Sequence, residues 1–358
     1  MRKLKVTLLV IIAYLLIAPL SADAAKINFP DILGYETLKC DFHMHTVFSD
    51  GQVWPTTRVD EAAREGLDAI AITDHIEYQP HKDDIPINHG RSNRIAEGAA
   101  NRRKILFPNA AEITRDTPPG HFNALFLEDV KLLDTEEFLD AIKAANDQNA
   151  FVFWNHPDWK PEHIGWFDVH DTIYENGWVH GIEVANGDGY HLNGHKWGLE
   201  KNLTMLGNSD MHGPSLITET TPENHRTITL VFVKERTTEA LKEALVKGRT
   251  AVWFKNQLIA KEDYLDAIFA ASVKVIDVYR KGSRKVFMEV ANNCDLNIEL
   301  QRTGMVGPEE VVLAAMETTT IRLRVQKDTK KIELPYVACN MLIAPEKGLA
   351  VKLSASVE

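Results

Sequence analysis

Apolar and polar positions follow two different textures along this chain. From Leu38 to about Phe254, short apolar runs take turns with segments whose apolar residues recur three and four positions apart. The runs at 38–42, 67–73, 105–113, 122–127, 150–154, 181–184, 203–206, 227–233 and 250–254 have the length of buried strands, whereas 55–65, 135–146 and 238–246 have helical spacing. Asp134, Glu136 and Glu137 place negative charge where the start of the 135–146 helix favours it. Strands alternating with helices predict a parallel α/β sheet or barrel.

Past Phe254 the texture changes. A short helical stretch at 264–271 precedes alternating strands at 273–279, 286–290, 296–300, 319–325 and 332–337, separated by turns at Lys281-Gly282, Asn292-Asn293 and Gly304. This pattern predicts a small antiparallel β-sandwich. The expected organisation is therefore a leader over 1–24, an α/β unit over 25–254 and a β-sandwich domain over 255–358, with no internal repeat.

The leader is read from Arg2, Lys3 and Lys5, the apolar run at 6–18, and the small residues of Ala22-Asp23-Ala24, which together predict a signal peptide cleaved after Ala24 and export, to a periplasm for example. The run falls short of the roughly 20 residues a membrane span takes, so no span is expected after cleavage; an uncleaved anchor is the alternative.

Composition narrows the possibilities further. With 44% apolar and 25% charged residues the chain fits an ordinary soluble protein. Lys and Arg number 40 against 51 Asp and Glu, a net charge of −11. That balance excludes a broad electrostatic grip on nucleic acid, so any phosphate contact must be local. The three cysteines, Cys40, Cys294 and Cys339, form no CxxC pair. Cys40 reads as a core residue; Cys294 and Cys339 either pair or are simply buried. Nothing in the sequence sets an oligomeric state.

The chemistry concentrates in the histidines. All 14 lie between His43 and His225. His43-Met44-His45 follows the first strand, where residues two apart point to one side and can reach one cation. Asp74-His75, Glu112, His121, Asn155-His156 and Asp210-Met211-His212 sit at the ends of later strands. Each alone is an ordinary capping carboxylate or core histidine. Together they converge, because the carboxyl-end loops of parallel strands gather on one face. The mixed imidazole and carboxylate set suits Zn²⁺, Mn²⁺ or Fe²⁺ better than Ca²⁺.

The run Asp41-Phe42-His43-Met44-His45-Thr46-Val47-Phe48-Ser49-Asp50-Gly51, then Ala71-Ile72-Thr73-Asp74-His75, Glu112, His121, His156 and Asn208-Ser209-Asp210-Met211-His212 resembles the PHP family, named for polymerase and histidinol phosphatase. The resemblance implies a distorted (β/α)7 barrel around two or three divalent metals that hydrolyses phosphate esters. It implies that His43, His45, Glu112 and Asp210 bind one metal, that Glu112 bridges to a second held by His121 and His156, and that Asp50, His75 and His212 hold the third. Many family members have His where this chain has Asp50, which leaves the third site richer in oxygen. The C-terminal extension resembles that of exported PHP phosphodiesterases, which tips the expectation from monoesters toward diesters, with attack by metal-bound hydroxide.

Asp74 is expected to orient a ligand, or to help protonate the leaving group. Arg115 is expected either to hold a phosphate oxygen or to form a surface salt bridge. Arg91, Arg94, His191 and His195 read as solvent-facing, and Trp154 and Trp159, flanking His156, as core and rim packing. Two other readings stand beside the phosphoesterase. An amidohydrolase-type barrel also opens with HxH but usually bridges its metals with a carboxylated lysine, and a non-catalytic metal-binding module would close its site with protein ligands.

Overall fold

The structure, a computed structural model, describes residues 26–357; the expected leader lies outside them. The first strand, Glu36–Asp41, is fully buried from Leu38 except at Lys39, as its apolar run requires. It pairs in parallel with Ala69–Ile70 on one side and antiparallel with Ile228–Val233 on the other. A second sheet contains Ala110–Thr114, His121–Leu125, Phe151–Trp154, Gly181–Asn186 and Thr204–Asn208. Short bridges, Met44 to Met211, Ala69 to Leu106 and His75 to Glu112, stitch the two sheets together. The result is a distorted α/β barrel whose seams lie at the candidate ligands.

The sheets are mixed, where a parallel arrangement was expected. Phe151–Trp154, Gly181–Asn186 and Thr204–Asn208 do run parallel. Ala110–Thr114 and His121–Leu125 form an antiparallel hairpin instead. The physical reason is length: a parallel crossover takes a dozen or more residues, and the short loop between these strands allows only a reversal. The reversal brings His121, at the start of its strand, opposite Thr114, at the end of the other.

The helices Pro55–Arg64, Phe138–Asp147 and Thr238–Val246 lie where apolar spacing placed them. Arg91–Arg103, Asp168–Glu175 and Leu192–Glu200 are additional. No helix of the described residues is long and apolar enough to cross a membrane.

The C-terminal region is an antiparallel β domain. One three-stranded sheet holds Val273–Lys281, Lys285–Asn292 and Thr318–Arg324. The other face is built on Lys331–Ala344 and Lys347–Ser356. Gln257–Ala260 pairs with the barrel strand Thr250–Phe254 and also with Lys331–Ala344, so one sheet runs from the barrel into the β domain. A single apolar cluster follows it, from Trp253 through Leu265 and Phe269 to Leu349. Burial of that continuous surface, at roughly 25 cal/mol per Å², ties the two regions together.

The cysteines are unpaired. Cys40 and Cys294 are buried, and Cys339 is exposed. Cys339 falls on the outward side of the alternation in Lys331–Ala344, whereas the Cys294 thiol faces the Asn292 side chain. Cys294 belongs to the buried core and Cys339 faces outward, so the two thiols do not pair.

Candidate metal centre

The strand Glu36–Asp41 delivers His43 and His45 into the barrel, both fully buried. His43 Nε2 lies 3.2 Å from Asp210 Oδ1 and 3.5 Å from Glu112 Oε2. His45 Nε2 lies 3.1 Å and 3.4 Å from the same two oxygens. All four atoms are buried without a hydrogen-bond partner. Buried polar atoms are ordinarily satisfied, and four orphans facing one point call for a cation. Bonds of about 2.0 to 2.1 Å to a tetrahedral ion put donor atoms roughly 3.3 to 3.4 Å apart, so these residues fit such an ion.

Further candidates extend from this point. Glu112 turns Oε1 the other way, 3.0 Å from His121 Nδ1 and 3.9 Å from His156 Nε2. His156 Nε2 is also 3.9 Å from Asp210 Oδ2. Asp50 Oδ1 lies 3.2 Å from His212 Nε2, 3.5 Å from His75 Nε2 and 3.7 Å from His45 Nδ1. His75 reaches back through Nδ1 to Glu112 Oε2 at 2.9 Å. All the residues expected to bind metal thus occur in one cluster, with Glu112 at its centre.

The electrostatics suit ligation. Burial alone would raise the Glu112 and Asp210 carboxyls. The imidazoles of His75 and His43 around Glu112, and of His43 and His45 around Asp210, hold both below the usual carboxylate range. Burial pushes His156 down to about 4, leaving a neutral ring near pH 7. Metal ligands must be deprotonated: the carboxylates and His156 already are, whereas the carboxylates around His43 and His75 raise those imidazoles, so an ion binding there would displace their protons.

Buried groups fix the ligand loops. Glu183 Oε1 is 3.0 Å from His43 Nδ1 and accepts from Asn208 Nδ2, while its Oε2 accepts from the His156 backbone N–H at 2.8 Å. His156 and Asp210 both hold positive φ, +30° and +50°, which a non-glycine residue adopts at a cost. The Glu183 contact secures the first, and the Asp210 N–H donates to the His43 carbonyl in the second. Arg58, fully buried, donates to the carbonyls of His45, Met211, His212 and Gly213, so one guanidinium ties both ends of the ligand set. Gly51 packs against the His45 backbone, where a Cβ would sit 2.5 Å from the carbonyl carbon; only glycine fits there.

Asp74 accepts from the N–H and hydroxyl of Thr46 and from Ser49 Oγ. Both its oxygens thus hold the loop carrying His45 and Asp50. Arg115 turns away from the cluster: its guanidinium pairs with Glu77 and donates to the carbonyls of Thr114 and Thr135. Of the two roles expected for Arg115, this placement is the salt bridge.

A cavity of about 550 Å³ opens above the cluster, lined by ligand residues together with Tyr78, Thr114, Trp159, Asn186, Gly189 and His191. Among the described residues, no Lys or Arg lines it. The solvent-facing reading fails for His191 and His195, which are 7% and 0% exposed. They were misjudged because their polar segment folds back on the loop after Phe151–Trp154: Asn193 N–H donates to Asp158, and Gly194 has no room for a Cβ between Pro157 and the Glu183 carbonyl. Trp154 is core, whereas Trp159 stands 55% exposed at the cavity. Glu183 and Arg58 went unnoticed. The one available signal for Glu183 was a carboxylate inside the apolar run Gly181-Ile182-Glu183-Val184-Ala185, since a buried charge must be paired.

Comparison with known proteins places this site in context. A PHP domain model matches residues 41–153, and an Ig-like domain model matches residues 272–354. A solved two-domain protein of Bacteroides vulgatus, containing a predicted PHP-like metal-dependent phosphoesterase, is 42% identical. The match covers 93% of this chain and 99% of that one, with a TM-score of 0.88. A solved amidohydrolase from Chromobacterium violaceum, with bound sulfate and no metal, is 18% identical over 49% of this chain and 88% of its own, with a TM-score of 0.39. An uncharacterized protein of Methanocaldococcus jannaschii is 46% identical over 46 residues. That match spans 13% of this chain and 21% of the relative, about a fifth of its length.

Proposed function

Because the chain belongs to the PHP family of metal-dependent phosphoesterases, we propose that it hydrolyses phosphodiesters in preference to monoesters, with two or three divalent ions of zinc, manganese or iron in the cluster around Glu112. The observation that carries this reading is the meeting of His43 Nε2, His45 Nε2, Glu112 Oε2 and Asp210 Oδ1, all buried and, apart from the 2.9 Å approach of His75 Nδ1 to Glu112 Oε2, facing only one another. His43, His45, Glu112 and Asp210 would hold the first ion. Glu112 would share its second oxygen with an ion on the side of His121 and His156, and Asp50, His75 and His212 would hold the third. Bound there, such ions neutralise phosphate charge and lower the pKa of coordinated water to near 7.

The chain's own residues do the rest. Glu112 offers one oxygen to each side of the cluster, which only a carboxylate can do, and Asn155 Nδ2 donates to Oε1 at 2.8 Å to fix its plane. Among the described residues no serine or cysteine lines the cavity, and the Thr114 hydroxyl is tied to His75 Nδ1. This supports direct attack by water without a covalent enzyme intermediate. A lining without Lys or Arg favours the single charge of a diester over the nearly double charge of a monoester near pH 7. The bridging carboxylated lysine of the amidohydrolase reading likewise has no candidate on this wall. A cavity open to ligand carboxylates supports catalysis over a closed structural site.

A screen of the metal-loaded protein against chromogenic phosphodiesters, phosphomonoesters, amides and lactones tests the assignment. Diester hydrolysis at higher kcat/KM than the matched monoester is expected. Turnover confined to amides or lactones would replace the reading.

A further inference from the structure

The wall of the cavity beside the metal ligands carries two features that the hydrolytic site does not use. His191 is 93% buried by its 7% exposure, lines the cavity, and has no hydrogen-bond partner at either ring nitrogen. A buried imidazole left so costs free energy unless a ligand or water completes it. Trp159 is the opposite case, a large aromatic 55% exposed at the same cavity, with its ring centroid 5.5 Å from those of His121 and His156. The Lys160 ammonium lies 5.1 Å from the indole centroid, and the indole surface left exposed beside the cluster is apolar area that a substrate would cover.

These two side chains stand on loops that are docked to each other. The Asn193 N–H donates to Asp158 Oδ2 at 3.0 Å, next to Trp159 in sequence. Gly194 is pressed against Pro157, where an added Cβ would lie 2.8 Å from the ring carbon. The wall is thus preformed, with a flat apolar face and an unpaired polar group held in fixed relation. Tyr78, 53% exposed, adds a second aromatic to the lining from the His75 side.

We infer that this wall is a subsite for the organic part of the substrate and takes a planar heteroaromatic group, of the nucleobase type, stacked on Trp159 and hydrogen-bonded by His191. The inference rests on the phosphodiesterase reading and specifies its substrate class. A flat ring answers the indole, and a ring with polar edges answers the imidazole, which can donate from one nitrogen and accept at the other. A simple alkyl ester would leave both unanswered. Stacking of a base on an aromatic side chain, measured by alanine substitution, is worth on the order of a tenfold effect or more.

The test compares two diesters with the same leaving group, thymidine 5′-(p-nitrophenyl phosphate) and methyl p-nitrophenyl phosphate, on the metal-loaded full chain. Wild type is expected to favour the nucleoside diester by on the order of tenfold in kcat/KM, chiefly through KM. Trp159→Ala should abolish that preference and Trp159→Phe should retain most of it. His191→Leu should reduce the preference with bound metal unchanged, as measured by elemental analysis. Equal kcat/KM for the two diesters in wild type, or a Trp159→Ala variant that keeps the preference, would overturn the subsite while leaving the phosphodiesterase standing. Failure to hydrolyse either diester would overturn the underlying reading and the subsite with it.

Discussion

Glu183 fixes the orientation of His43: its Oε1 lies 3.0 Å from Nδ1 of the imidazole, and both side chains are wholly buried. With Nδ1 occupied, Nε2 is left to face Asp210 and Glu112. A carboxylate behind a ligating histidine sets its tautomer and raises its basicity. Glu183→Gln should therefore weaken metal binding roughly 10- to 100-fold, the usual cost of losing such a partner. Competition with a chromogenic chelator measures it. Affinity equal to wild type would show that His43 needs no such support.

Glu112 bears a heavier role, because its two oxygens face different sides of the cluster. Glu112→Gln keeps the shape but offers only one oxygen. Loss of the bridge should exceed the 10- to 100-fold cost of an outer partner, so activity is expected to fall at least about a hundredfold, with less metal retained. Near-normal turnover with full metal in this variant would move the reaction elsewhere.

Much of this arrangement is legible in the sequence, for identifiable reasons. The HxH after an apolar strand, and the Asp-Met-His after Thr204–Asn208, mark candidate ligands that the structure brings into one cluster, because strand ends are fixed by hydrophobic runs. The same logic locates the helices Pro55–Arg64 and Thr238–Val246. What escaped are features decided by tertiary contact. Leu192–Glu200 carries a polar, histidine-rich sequence, yet His195 is fully buried because the helix packs on the strand Gly181–Asn186. Lys347–Ser356 is an exception: Leu349, Val351 and Leu353 alternate with Ala350, Lys352 and Ser354, so this strand was legible in the sequence although it was not predicted. Arg58 lies in a helix where an arginine ordinarily reads as surface; only the folded carbonyls of His45 and Met211 explain its burial.

Arg115 supplies a contrast with the ligands. Its guanidinium is engaged by Glu77 and by main-chain carbonyls, and it does not line the cavity. Arg115→Ala is accordingly expected to leave the ratio of diester to monoester kcat/KM within about twofold of wild type, since a charge-assisted contact to substrate would be worth more than that. A selective loss of monoester activity would return Arg115 to the phosphate.

His170 provides a pH dependence separate from the metal cluster. Its Nδ1 accepts from the Phe167 N–H, Nε2 faces the Pro119 carbonyl at 2.8 Å, and the ring stacks on Trp154. Burial pushes it down to about 4 from an ordinary value of 6.5. The folded state thus resists a proton that the unfolded chain accepts. Above pH 6.5 both states are neutral and the group contributes nothing; as pH falls from 6.5 toward 4, stability declines. In metal-free protein, His170→Gln should reduce the slope of unfolding free energy against pH across that window by up to one proton, about 1.4 kcal/mol per pH unit. Denaturant unfolding at a series of pH values reads it. An unchanged slope would assign the proton to another group.

Phosphodiester hydrolysis by this chain is expected to depend on metal held by the cluster. The most direct measurement strips the full chain of metal, verifies the loss by elemental analysis, and titrates Mn²⁺ or Zn²⁺ back while following bis(p-nitrophenyl) phosphate. Hydrolysis should vanish in the stripped protein and return as two or three equivalents bind per chain. Hydrolysis that persists in verified metal-free protein, or that stays absent after two or three equivalents of either metal have bound, would contradict it.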